Sequence, residues 1–167
     1  MASTKVAYAA SAAITISGIA SLATSSTLVA GWSLAEVDNT SDLHLDKIIS
    51  GKIMVGTTPT ANTTIEVWII PKREDSSYHD TFDGTSKAVT VTSRDMLYAY
   101  GSLLVAITVP IATSNVGYEF QRSIAAAMGG AVPAKFQLWI VHSTAVNLNS
   151  TGGNHLAYQK GVYSTTA

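Results

Sequence analysis

The chain is a succession of short runs in which apolar and polar residues alternate, each closed by Gly, Pro, Asn or Asp. A period of two is the pleat of a β-strand, and frequent turn residues leave little room for long helices. In Ile49–Val55, the residues Ile49, Gly51, Ile53 and Val55 fall on one side and Ser50, Lys52 and Met54 on the other. Thr63–Ile70 turns Ile65, Val67 and Ile69 inward if Glu66 faces out, and residues 57–62 supply a turn between the two runs, so they form a hairpin. The polar half of the pattern is mostly Ser and Thr, 39 of 167 residues, and only 13% of the chain is charged. Soluble domains carry about 25% charge, which guards their strands against association. This chain reads as a β-rich building block whose surface neighbours cover.

Six further strands are expected at Ala12–Ile19, Ser26–Trp32, Lys87–Thr92, Leu103–Val109, Phe136–Val141 and Leu156–Tyr163. About eight strands predict an all-β fold, a jelly-roll-like antiparallel β-sandwich. One or two short helical turns are expected. Thr92–Tyr100 has Thr92 or Ser93 as N-cap and Gly101 as stop, and Ser123–Met128 ends at Gly129 and Gly130. Residues 12–167 are expected to form a single sandwich domain, with residues 1–11, small and nearly uncharged, as a candidate N-terminal arm. The charge cluster Lys72–Asp75, leading into residues 76–84, predicts the longest exposed loop.

A net charge of -1 offers no basic field for a phosphate backbone, so no nucleic-acid partner is expected. With no cysteine, the fold cannot rest on disulfides or thiolate metal sites. Lys5 followed by Val6–Ala20 superficially resembles a secretory signal. Ser11, Thr15, Ser17 and Gly18 interrupt its apolar run, and a chain that is soluble until it assembles, with no membrane partner, is expected instead.

No residue set demands catalysis. Serines are abundant without a Gly-x-Ser-x-Gly elbow, and Glu36, Glu66 and Glu119 are most simply solvating residues on strand faces. His44, His79, His142 and His155 show no local metal-ligand spacing. Asp38–Asp42 and Asp80–Asp83 group oxygens that suit calcium or, equally, Asx turns. The expectation is no enzyme, no metal and no cofactor. Trp68 and Trp139 occupy the parity opposite the aliphatic residues of their strands. If those aliphatics fill the core, both indoles form an interface or a sugar-stacking platform, unless the sheet is covered on both faces within the subunit. The interface or ligand candidates are Ala2, Ser3, Thr4 and Lys5 of the arm, Trp68 and Trp139, and Arg73 and Tyr78 of the loop.

Ser25–Asp46 (SSTLVAGWSLAEVDNTSDLHLD), ISGKI at residues 49–53, GTTPTA at 56–61, IEVW at 65–68, STGGNHLAY at 150–158 and GVYS at 161–164 together resemble virion structural proteins of tailed bacteriophages. The resemblance implies a jelly-roll-like subunit of the particle, a minor capsid or head decoration protein without an active site. Its partners would be the major capsid protein or other virion proteins, and its location the virion, after synthesis in the host cytoplasm. Self-association as a trimer or dimer is expected of such a part. The alternative is a carbohydrate-binding or adsorption module of a phage tail or fibre, with a glycan as ligand.

Overall fold

The computed structural model describes residues 3–74 and 76–166. Along the chain run β1 (Thr4–Tyr8), β2 (Ala12–Ala13), β3 (Ala30–Ser33), β4 (Val37–Asp38), β5 (Asp46–Met54), β6 (Thr63–Pro71), β7 (Lys87–Thr90), α1 (Arg94–Tyr100), β8 (Ser102–Val109), β9 (Gly117–Ser123), α2 (Ile124–Ala127), β10 (Lys135–His142) and β11 (Leu156–Thr166). All strand pairs are antiparallel. One sheet has the order β1-β11-β5-β9, with β2 also on β11; the other has the order β7-β3-β10-β6-β8, with β4 also on β10.

β1 with β2, and β3 with β4, are interrupted strands along one partner, and β7 lies in an insertion. The eight strands that remain pair first with eighth, second with seventh, third with sixth and fourth with fifth, successive pairs alternating between sheets. That is jelly-roll topology, a long antiparallel hairpin wrapped into two layers, as the alternating pattern predicts.

The main core lies between the sheets. Ile49 and Ile53 of β5, Phe120 of β9 and Ala157 of β11 face Ile65, Val67 and Ile69 of β6 and Phe136, Leu138 and Ile140 of β10. A second core lies on the far side of β6 and β10, where Trp68, Ile70, Trp139 and Val141 meet Tyr78, Phe82, Val89, Val91 and Leu97. These come from residues 76–101, of which residues 76–86 and α1 fold over the sheet as a lid while β7 joins the sheet beside β3. Ser93 caps α1, its Oγ accepting from Met96 N–H at 3.1 Å, and Gly101 N–H closes it on Leu97 O at 2.7 Å.

In secondary structure four segments depart from expectation, the first being Ser26–Trp32, which is a strand only from Ala30. Ala12–Ile19 is a strand only over Ala12–Ala13 and then makes a 3-10 turn at Ser17–Ile19. Ile16, Ile19 and Leu22 are three apart, so a turn of that period sends all of them to the core where a strand would send them to opposite faces. Residues 117–123, not expected as a strand, form β9, with Phe120 turned inward beside Gly51. Within the candidate arm, Thr4–Tyr8 is paired to the last strand of the same sheet, Thr4 opposite Thr166 and Tyr8 opposite Val162. Among the described residues, no helix is long and apolar enough to cross a membrane.

Candidate functional site

Trp68 and Trp139 do point away from the inter-sheet core, but the lid covers them and both are fully buried. Neither can stack on a sugar or touch a partner, because an apolar face left by strand parity has been used as an inner core. Phe82 meets the Trp139 ring edge-on at 6.2 Å, and Tyr98 meets Trp68 likewise at 4.9 Å. Gly31 leaves room for this packing, since a Cβ there would lie 2.3 Å from Ile140 O and 2.9 Å from the Trp139 ring. Two polar anchors fasten the lid. Glu66 accepts from Trp68 Nε1 at 2.8 Å and from both terminal guanidinium nitrogens of Arg94, at 2.8 and 3.1 Å. Gln137, fully buried, donates to Ser33 Oγ and Leu34 O and accepts from Gly84 N–H at 2.9 Å.

The other loop candidates also serve the lid. The segment expected as an exposed loop buries Tyr78 and Phe82. Tyr78 O–H donates to Glu36 Oε2 at 3.0 Å, beside Lys72 at 2.9 Å, while Lys135 bridges Glu36 and Asp38 at 3.2 and 2.8 Å. Burial pushes the Tyr78 hydroxyl up, and the Glu36 carboxylate adds to it, so Tyr78 stays a neutral donor. Burial also acts to raise Glu36, but the hydrogen bonds from Lys72, Tyr78 and Lys135 outweigh it and hold the carboxyl below its usual range. Arg73 bonds Ser77 Oγ, through Nε at 3.0 Å and through its terminal nitrogen. Of the arm candidates, Ala2 lies outside the described residues, Ser3 is exposed, and Thr4 and Lys5 are exposed on β1.

Among the groups considered for calcium, Asp38 and Asp83 cap local turns and Asp80 holds Thr92, twelve residues on and just past the end of β7. Asp38 accepts from Thr40 N–H at 2.7 Å, Asp83 from Thr85 N–H at 2.9 Å, and Asp80 from Thr92 N–H at 2.7 Å. His79 stacks on Tyr100 at 4.9 Å, and His44 packs on Gly161. His142 and His155 tie down the loops at one end of the sandwich. His142 Nε2–H donates to Leu22 O at 3.0 Å, and Nδ1 lies 2.9 Å from Thr144 Oγ1. His155 Nε2–H donates to Asn149 O at 2.9 Å, while Nδ1 accepts from Met54 N–H at 3.3 Å. Carbonyl partners at Nε2 fix the tautomer.

Burial lowers both histidine pKa values from 6.5, against an opposing hydrogen bond to Leu22 or Asn149, and Lys52 lowers His155 further. Because the folded values lie below the unfolded ones, their contribution to stability is complete above about pH 6.5 and is lost as pH falls below it. Urea midpoints are therefore expected to drop from pH 7.5 to pH 5, before the carboxylates titrate. A flat profile across that window would contradict the assignment. His155→Asn, which cannot be protonated, should flatten part of it.

In contrast to the lidded sheet, the outer face of the β1-β11-β5-β9 sheet has no covering element among the described residues. Cross-strand register places Lys52 between Leu156 and Glu119, Ser50 between Tyr158 and Gln121, and Ile48 between Lys160 and Ser123. Two shallow cavities of about 450 and 400 Å³ meet at Ser50 and Gln121 and form a trough along β5. Tyr158, Leu156 and Tyr8 expose rings and methyls along it, and Lys160 Nζ sits 5.3 Å above the Tyr8 ring. The trough runs onto a ribbon. From Tyr163 onward β11 has only β1 as strand partner, and Val6, Tyr8, Tyr163, Leu43 and Leu45 are all exposed in and beside that pair. Sequence parity could mark the outer residues of β5 and β11; it could not tell which of the two sheets is lidded.

No family model and no curated protein matches this sequence.

Proposed function

We propose that the chain is a structural virion subunit, a head decoration or minor capsid protein that binds a phage shell and stabilises it through subunit contacts. The observation that carries this reading is the asymmetry of the sandwich. One sheet is covered over β6 and β10 by its own lid, and the other keeps an open, nearly neutral face that continues into a ribbon with exposed Val6 (68%) and Tyr8 (56%). The lidded side also exposes Met96, Tyr98 and Leu103, but the open face and its ribbon gather more of the exposed apolar side chains, and such a gathering marks a surface for docking. The polar components support the same reading, since Glu36, Asp38, Glu66 and Asp83 each hold a lysine or an arginine, and Asp80 of the lid fastens Thr92 and Tyr100. The resemblance to virion proteins of tailed phages points the same way.

Purified chain mixed with DNA-free shells of its phage should co-sediment with them and raise their melting temperature. Tyr158→Asp, placed in the middle of the open face, should reduce binding by at least about tenfold while leaving the subunit folded. Wild-type chain that ignores both precursor and expanded shells would overturn the reading. Binding to a glycan through Tyr158 instead would move the chain to an adsorption apparatus.

A further inference from the structure

Every open sheet has edges whose unpaired N–H and C=O groups invite another strand, and folded proteins blunt them with charge, proline, shortness, bulges or cover. Three of the four edges here are treated so. β9 carries Glu119 and Arg122 and runs directly into α2. β8 lies against α2 and β9. β7 is four residues long and begins with Lys87. The fourth edge is β1, without proline, and Lys5 is its one charge. Ala9 N–H donates to Gly161 O at 2.9 Å, so by the alternation of an antiparallel ladder Lys5, Ala7 and Ala9 direct their backbone groups at β11. Thr4, Val6 and Tyr8 direct theirs outward, where no described strand receives them.

We propose that this edge seats a second copy of the same chain, β1 pairing antiparallel with β1 about a two-fold axis at Val6. In that register Val6 meets Val6 of the second copy, and Thr4 meets its Tyr8, so all the outward backbone groups of both strands find partners. The charges agree with it, because Lys5 falls opposite Ala7 of the second copy and the only charge on the edge does not face itself. The apolar residues agree as well, since Val6 and Tyr8 lie on the same side of the strand and become neighbours of their own copies. The two sheets join into one of eight principal strands, within the range that twisted sheets sustain. A five-residue edge is smaller than a standard interface of about 20–30 residues a side, so the dimer is weak alone, with a dissociation constant on the order of 10–100 µM, and would be reinforced by a lattice.

The inference rests on the assembly reading for its purpose but is tested apart from it. Sedimentation equilibrium of the full chain from about 5 to about 500 µM should show a monomer–dimer equilibrium. Val6→Pro removes an outward N–H that β11 does not use, and Val6→Lys sets like charges on the axis. Each should raise the dissociation constant at least about tenfold without lowering the urea midpoint of the subunit. The chain has no cysteine, so Val6→Cys should give a disulfide-linked dimer on mild oxidation, whereas Lys5→Cys, off the axis, should not. A monomer throughout the range, a dimer indifferent to both Val6→Pro and Val6→Lys, or equal cross-linking at both positions would overturn the proposal. A monomer that binds shells leaves the assembly reading standing; a Val6-dependent dimer that ignores them does the reverse.

Discussion

Trp139→Ala is expected to destabilise the subunit by about 3–5 kcal/mol, the cost of emptying an aromatic site that cannot collapse. The indole is fully buried between β3 and the lid, with Phe82 packed on it edge-on and Gly31 beneath it. Trp139→Phe separates ring packing from hydrogen bonding. Among the described residues Trp139 Nε1 is buried without a hydrogen-bond partner, so Phe keeps much of the ring and removes an unpaired donor. A loss below about 1.5 kcal/mol is expected for it. Both can be read from urea midpoints. If Trp139→Ala cost no more than a surface change, the indole would have to be a binding residue after all, covered by a lid that opens.

Glu66→Ala should cost about 3 kcal/mol, near the lower end for breaking a buried ion pair, because Arg94 is partly exposed and water can recover some of its charge. The change leaves Arg94 facing the Trp68 ring with no carboxylate and deprives Trp68 Nε1 of its acceptor. Replacing both partners, Glu66→Leu with Arg94→Met, should recover at least half of the loss, since an apolar pair of similar size carries no stranded charge. A double variant as unstable as Glu66→Ala would mean that the pair positions the lid by geometry that apolar contact cannot supply. Hydrogen exchange should show α1 loosening first in Glu66→Ala, because its ion pair ties the helix to β6.

Much of the fold was legible because a strand states its two faces in its own residues. Ile65, Val67 and Ile69, and Phe136, Leu138 and Ile140, were identifiable as one inner row each, and they are the inter-sheet core. Parity also placed Trp68 and Trp139 on the opposite face. What parity does not encode is who stands on that face. The lid comes from residues whose charges and turn formers, Lys72, Arg73, Asp80 and Gly84, read locally as an exposed loop, and Tyr78 and Phe82 stand among His79, Asp80, Thr81 and Asp83 with no further apolar residue to extend a period. In the same way, Thr4–Tyr8 carries no signal that distinguishes a free arm from a strand, because its partner lies at the other end of the chain.

The amino-acid sequence by itself determined the class of structure: alternation with Ser and Thr in place of charge makes paired, half-buried strands, and turn residues limit their length. Only the tertiary structure decided which faces and edges end up covered. A face is sealed or left open by segments far away in sequence, through contacts such as Glu66 with Arg94 and Gln137 with Gly84 that have no local spacing. Burial is a property of the assembled surface, so the open sheet and the unpaired β1 edge existed only once every other strand had found its neighbour.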